Sequence, residues 1–302
     1  MSSSSSSIII SKVGFLGFTG KVGSSVLPNL IELNKQNKIK LILLHRQGSD
    51  LSKIAETENI EKRIIKLDEN GLEINKKAIE NLDIVVSTVG TTGFRAQIHL
   101  IDSLENSKSL KTFIHSDFGT NWTEDELQAP GLKMIKIKED IVDYAKSKKV
   151  PLTSIRVGVL DEFFYKYPAS GTYLPGNTVQ VFRNSLKNKI RVTSIPFLGY
   201  AIAQLTINPI SIANQITQLY DFNVSGEEII QAWTNIQNGI KPEITYYTED
   251  QYQKDLQVIG GFAIIAAVRA KWGDDNWGPS DQPKIDGWKL KTFEQHCRNF
   301  IQ

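Results

Sequence analysis

The feature that most constrains the fold lies before residue 25, where the apolar run Ile8 to Phe15 leads into Gly17-Phe-Thr-Gly20-Lys-Val-Gly23 and then into Val26, Leu27, Leu30 and Leu33. Strand, glycine turn and helix are the implied order. Val22, Val26, Leu30 and Leu33 recur at i, i+4, i+8 and i+11, one face of a helix able to pack on a sheet. Ile39 to Leu44 follows as a second strand and completes a βαβ unit. Glycines at this spacing keep the turn tight. They also let backbone N–H groups approach a pyrophosphate at the helix N-terminus, where the macrodipole favours negative charge. Gly17, Thr19, Gly20, Lys21, Val22 and Gly23 are therefore the first candidates for holding a dinucleotide. A tight turn that binds nothing is the plainer alternative.

The residue after the second strand meets the adenine ribose in such a unit: an acid accepts bonds from a 2′-hydroxyl, whereas arginine accommodates a 2′-phosphate. Here the strand leaves through His45-Arg46-Gln47-Gly48-Ser49, with no carboxylate before Asp50. The planar Arg46 guanidinium can make paired, charge-assisted bonds to phosphate, so NADP(H) is expected over NAD(H). Lys53 offers a second positive charge or is a solvated helix lysine, and Arg46 could equally be an ordinary surface arginine.

The α/β alternation continues. Strands are expected at Arg63–Leu67, Asp83–Ser87, Lys111–His115 and Leu152–Val157, with helices near residues 72–82, 94–105 and 135–147. Strands this apolar suit a parallel sheet covered on both faces. Ligands of such sheets lie beyond the carboxyl ends of the strands, which adds Asp68, Thr88, Val89, Gly90, Ser116, Phe118 and Gly158 to the cofactor candidates. After Gly158 come Phe163, Phe164, Tyr165 and Tyr167, either an apolar wall over a nicotinamide or the core of a small domain. Phe118, Phe163 and Phe164 are the candidates for substrate contact.

Further on, Ile190–Thr193 reads as a strand returning to the sheet. Ser225 with Glu228 reads as a helix capping box. Trp233, Trp272, Trp277 and Trp288 read as packing residues, and Gly273 to Gly287 as a long loop able to fold over the site as a lid. The expected architecture is α/β: a doubly wound parallel Rossmann sheet with a smaller, discontinuous α+β domain covering the substrate. The expected boundaries are a flexible Ser-rich tail at 1–11 and the Rossmann domain at 12–157, rejoined by 190–221. The covering domain takes 158–189 and 222–302.

Among 302 residues, 35 Lys and Arg stand against 33 Asp and Glu, a balance that argues against nucleic acid as the main partner. Cys297 is the single cysteine, which excludes an internal disulfide, and its neighbour His296 points elsewhere on a helix, so no metal pair forms. The N-terminus has neither a basic n-region nor an apolar h-region, and the run Val258 to Val268 is too short for a membrane span. A cytoplasmic protein is expected, with the Asn121 and Asn223 glycosylation patterns as chance matches.

The glycine turn, Arg46, Val85-Val-Ser-Thr-Val-Gly90, Phe113-Ile-His-Ser-Asp-Phe-Gly119 and Val150-Pro-Leu-Thr153 together resemble the NmrA-like, isoflavone-reductase-like branch of the short-chain dehydrogenase/reductase superfamily, over about residues 12 to 300. In that family a proline commonly precedes Ser-Glu-Phe-Gly; here His115 and Asp117 stand instead. The resemblance implies NADPH-dependent reduction of a small carbonyl or conjugated double-bond compound, aromatic ones included. It also implies that Lys138 lies near the nicotinamide ribose and assists proton transfer. A partly desolvated lysine beside a cationic ring can exchange a proton near neutrality. Lys136 and Lys133 are alternative registers for that role. The same resemblance covers a second reading, a non-catalytic regulator that senses NAD(P) and binds a protein partner. Tyr144-Ala-Lys-Ser-Lys148 matches the Tyr-x-x-x-Lys pattern of ordinary short-chain dehydrogenases, but Pro151 closes the helix directly after it.

Overall fold

The computed structural model describes residues 10–51, 60–167 and 171–300. In chain order the elements are β1 (Ser11–Leu16), α1 (Lys21–Lys35), β2 (Ile39–Arg46), β3 (Glu61–Ile65), α2 (Leu72–Ile79), β4 (Ile84–Ser87), α3 (Gln97–Leu104), β5 (Thr112–Ile114), α4 (Glu124–Leu127), α5 (Lys133–Ser147), β6 (Leu152–Arg156) and β7 (Val159–Leu160). They continue with α6 (Asp161–Lys166), β8 (Thr172–Tyr173), β9 (Thr178–Val181), β10 (Lys189–Thr193), α7 (Ile195–Leu205), β11 (Ile216–Gln218), β12 (Phe222–Ser225), α8 (Gly226–Ile236), β13 (Glu243–Tyr246), α9 (Glu249–Asp255), α10 (Gly261–Asp274) and α11 (Phe293–Cys297). The chain packs into two compact units. The first holds the chain up to Ser116 with Ile141–Ser154 and Gly199–Ile216; the second holds Asp117–Asp140, Ile155–Leu198 and the chain from Thr217 on.

A seven-stranded sheet in the order β11-β6-β5-β4-β1-β2-β3 organises the first unit. β1 pairs in parallel with β2 and β4, in register Val13↔Leu41 and Val13↔Ile84, and the parallel pairing runs on through β5 to β6. This is the doubly wound α/β arrangement the apolar strands predict. Parallel strands need a crossover between them, and α1 supplies the first by burying Val26, Leu27, Leu30 and Leu33. Leu16, Ile42, Val85, Leu100, Ile101, Phe113 and Ile141 form the centre of its core.

The second unit holds two three-stranded sheets, β12-β10-β7 and β13-β9-β8. The expected return of residues 190–193 to the large sheet is corrected here. β10 runs antiparallel to β12 and parallel to β7, and β11 takes the edge beside β6 instead. The alternation of Ile190 and Val192 with Arg191 and Thr193 marks a strand but does not name the sheet that receives it. Trp233, Trp272 and Trp277 are buried in the core of this unit with Phe164, Tyr165 and Cys297, and burial pushes the Cys297 thiol up to about 12. α8 begins with the expected box: Ser225 Oγ accepts from Glu228 N at 3.2 Å, and Glu228 Oε2 accepts from Ser225 N at 2.7 Å.

The loop after α10 is tied down rather than free to swing as a lid. Arg191 Nη1 donates to the carbonyls of Trp277 and Pro279 at 3.3 and 2.6 Å, and Nη2 donates to Gly278 at 3.0 Å. Tyr220 N donates to Gln282 Oε1 at 2.8 Å, and Asn121 Nδ2 to Trp277 O at 2.8 Å. The Lys271 ammonium, with its side chain 1% exposed, donates to Glu126 Oε1 at 2.6 Å and lies over the Trp122 ring. Burial pulls its pKa below the ordinary lysine range, and the bond to Glu126 opposes the shift.

Candidate functional site

In the first unit the glycine turn forms a cradle whose shape depends on having no side chains. Gly17 has φ +83°, and a Cβ there would lie 2.5 Å from the Thr88 carbonyl carbon. A Cβ on Gly23 would lie 2.1 Å from Gly17 O. Gly20 N donates to Gly17 O at 3.0 Å and closes the turn. Gly20 is also the N-cap of α1: no side chain caps this end, and no acid lies in the first turn. Helix starts usually satisfy their N–H groups through a Ser, Thr, Asp or Asn cap, so an end without one suits an external anion. Thr19 and Lys21 are exposed at the lip, and Val22 is half-buried.

Thr88, beyond β4, holds the back of the cradle: its N and Oγ1 donate to Leu16 O at 3.0 and 3.1 Å. Val89 is half-buried and Gly90 exposed beside it. Ser116 Oγ donates to Val89 O at 2.7 Å, which ties the end of β5 to the end of β4. Ser116 N donates to Gln97 Oε1 at 2.8 Å, and the Gln97 amide donates to Phe94 O at 3.3 Å. Gln97 is a residue the sequence reading missed. Its signal is a polar side chain on the buried stripe of α3, at the i position of Leu100, Ile101 and Leu104.

Arg46 ends β2 exposed, and its guanidinium has no ion-pair partner among the described residues. Ser49 N donates to Arg46 O at 3.1 Å across a turn in which Gly48 has φ +77°. Asp68 is occupied locally: it accepts from Asn70 N at 2.9 Å and pairs with Lys66 at 3.5 Å. Lys53 lies outside the described residues.

Lys138, Phe118, Gly158, Phe163 and Phe164 belong to the second unit. Lys138 is 8% exposed, whereas Lys133 and Lys136 on the same helix are exposed. Its Nζ donates to Asp117 O at 2.7 Å and lies 2.9 Å from Asp117 Oδ1. Phe118 is half-buried with φ +45°, a left-handed conformation that costs a phenylalanine about 1–3 kcal/mol and persists only where its surroundings enforce it. A Cβ on Gly158 would lie 1.9 Å from Arg191 O, so close packing against β10 accounts for that glycine. Phe163 is 48% exposed. Phe164 is fully buried, edge-on to Tyr165 and Phe293, which leaves no face of its ring for a ligand.

The Tyr144 and Lys148 pair is engaged within the first unit. Tyr144 Oη donates to Asp102 Oδ1 at 2.5 Å, and Lys148 pairs with Glu105 at 3.1 Å and Asp102 at 3.7 Å. The bond to Asp102, aided by burial, raises the Tyr144 pKa, the opposite of what a proton-exchanging tyrosine needs. Among the described residues no cluster of metal-ligating side chains occurs, and no helix is long and apolar enough to cross a membrane.

Comparison with known proteins agrees with this architecture. The NmrA-like family model matches residues 10–259. The isoflavone reductase-like protein of Olea europaea is 26% identical over 196 residues, an alignment that covers 60% of this chain and 59% of that protein. The chain thus spans less than two thirds of the length of such a curated relative. The solved structure described as AtPrR2 with NADP+ and (+)-pinoresinol superimposes with a TM-score of 0.76 at 17% identity, covering 97% of this chain and 99% of its own. The leucoanthocyanidin reductase–NADPH complex of Vitis vinifera superimposes with a TM-score of 0.74 at 18% identity, covering 96% and 99%. The motifs, the seven-stranded sheet and a family match across most of the chain lead to one assignment: the chain belongs to the NmrA-like family.

Proposed function

We propose that the protein is an NADP(H)-dependent reductase of a small carbonyl or conjugated double-bond compound, including aromatic ones. The observation that carries this reading is the cradle of Gly17, Gly20 and Gly23 at an uncapped helix start, with the exposed Arg46 at the end of the neighbouring strand. A Cβ on Gly17 or Gly23 would overlap the backbone of Thr88 or of Gly17 itself, so the bare glycines keep the turn closed and its main-chain amides gathered at the helix start, where they suit a pyrophosphate. Relatives support the same reading, since the Vitis vinifera enzyme was solved with NADPH and AtPrR2 with NADP+ and (+)-pinoresinol.

In this reading the amides of α1's first turn hold the pyrophosphate, and Arg46 takes the 2′-phosphate through its planar fork. Thr88, Val89 and Ser116 line the route along the strand ends. When bound, NADPH supplies the hydride. Lys138 donates the proton to the substrate oxygen as negative charge develops there, and its exposure of only 8% keeps that transfer away from bulk water. Phe118 and the exposed ring of Phe163 give an aromatic substrate apolar surface.

The test is NADPH binding followed by fluorescence, together with NADPH consumption across aldehydes, quinones and enones. Turnover of one class supports the reductase. Tight binding without turnover across the whole panel, with a protein partner captured on the purified chain, would favour the sensing regulator. Arg46→Ala is expected to weaken NADPH by about 10- to 100-fold, the equivalent of losing charge-assisted bonds worth about 1.5–3 kcal/mol. NADH affinity should stay within about twofold. Calorimetry with both coenzymes checks this, and wild-type protein that takes NADH as tightly as NADPH would remove Arg46 from the role. Tyr144→Phe should change kcat by less than about twofold, because its hydroxyl already belongs to Asp102.

A further inference from the structure

The Lys138 ammonium is the inner end of a chain of alternating charge within the second unit. Asp117 holds it through both the main-chain carbonyl and carboxylate Oδ1, at 2.7 and 2.9 Å. The other carboxylate oxygen, Oδ2, accepts from Arg156 Nη1, and Arg156 Nη2 donates to Glu139 Oε1 at 2.8 Å. The side chains of Asp117 and Arg156 are 0% and 3% exposed and that of Glu139 is 32% exposed, so the middle of the chain is shielded from water. The loop carrying Asp117 is fixed by its backbone as well: Gly119 bridges Arg156 in parallel, and Val157 N donates to Gly119 O at 2.8 Å. Between these two anchors lies Phe118 in its left-handed conformation.

Gly119 adds an independent observation. A Cβ there would lie 3.1 Å from Lys138 Nζ and 3.0 Å from Asp117 Oδ1, so the glycine keeps one approach to the ammonium clear. A lysine carries its charge on a flexible four-carbon stem. Two contacts to one rigid residue remove that freedom and present the proton in one place, as orientation in catalysis requires.

We propose that Asp117, clamped by Arg156, is the positioning residue of Lys138 and aims its ammonium along the approach that Gly119 keeps open. The inference rests on the reductase reading for the reaction Lys138 assists, but the aim of the ammonium is testable without cofactor or substrate. The probe is trinitrobenzenesulfonate, with the labelling rate of each lysine read by peptide mass spectrometry on the whole chain. In Asp117→Asn, Lys138 should label about tenfold faster, in line with loss of a charge-assisted bond. Lys271, more deeply buried in the same unit and paired with Glu126, should stay within about twofold and so reports any general loosening.

With a substrate in hand, kcat of Asp117→Asn should fall by up to about 10²-fold while KM for NADPH moves less than about threefold, and Asp117→Glu should recover most of the loss. An unchanged Lys138 labelling rate in folded Asp117→Asn overturns the proposal. If that variant does not fold, Gly119→Ala decides: its methyl should slow Lys138 labelling by about threefold or more at constant Lys271, and equal rates overturn the proposal. A chain with no turnover on any substrate defeats the reductase reading and leaves the labelling ratios to judge Asp117.

Discussion

Lys138→Ala is expected to lower kcat by about 10²- to 10⁴-fold, the range for removing a positioned proton donor, while the Kd for NADPH stays within about threefold. The separation follows from where the lysine is held. Its ammonium is held by Asp117, and neither residue is among the glycines and the arginine proposed to hold the coenzyme phosphates. The substitution should also leave a folded protein, because Arg156 still neutralises the Asp117 carboxylate and spares it the large cost of an unpaired buried charge. Lys138→Arg should not restore the rate, since a planar fork cannot take the place of a compact ammonium held by one carbonyl and one carboxylate oxygen. Steady-state kinetics beside a binding isotherm checks both halves. An unchanged kcat would move the proton donor elsewhere.

Gly23→Val should weaken NADPH binding by about 10²-fold or more, because a Cβ there lies 2.1 Å from Gly17 O and 2.7 Å from Thr88 Oγ1. The clash is with backbone on one side and a buried hydroxyl on the other, so relief requires the turn to open. Opening it draws the amides away from the phosphates, and overpacking at this point costs about 1–3 kcal/mol of stability besides. Gly261→Ala, away from every cofactor candidate, is the control: nothing lies within 4 Å of a Cβ there, and it should leave binding within about twofold. Calorimetry on the two variants side by side makes the comparison, and equal affinities would deny the cradle its role.

The parts of this architecture that local periodicity records were readable from the sequence. α1 and the β1, β2 and β4 strands carry their burial in the spacing of their apolar residues, and Ser225 with Glu228 carries its helix start in a box four residues long. The partners of the charged groups were not readable. Asp117 and Arg156 are 39 residues apart and meet only because β5 and β6 lead their ends to one place. The same limit explains Phe164: a run of aromatics reads alike as a pocket wall or a core, and only packing against Phe293, far along the chain, decides its fate. β10 is the third case, a short alternating strand whose receiving sheet is set by Phe222–Ser225 rather than by its own residues. Gln97 stood out in principle, since a buried stripe interrupted by an amide requires a partner.

The polypeptide passes from one compact unit to the other at Ser116–Asp117, Asp140–Ile141, Ser154–Ile155, Leu198–Gly199 and Ile216–Thr217. No single cut in the gene can therefore release either unit whole. During synthesis the first unit stays incomplete until Ile216 has left the ribosome, and a chain that stops before β11 leaves one side of β6 without its partner strand.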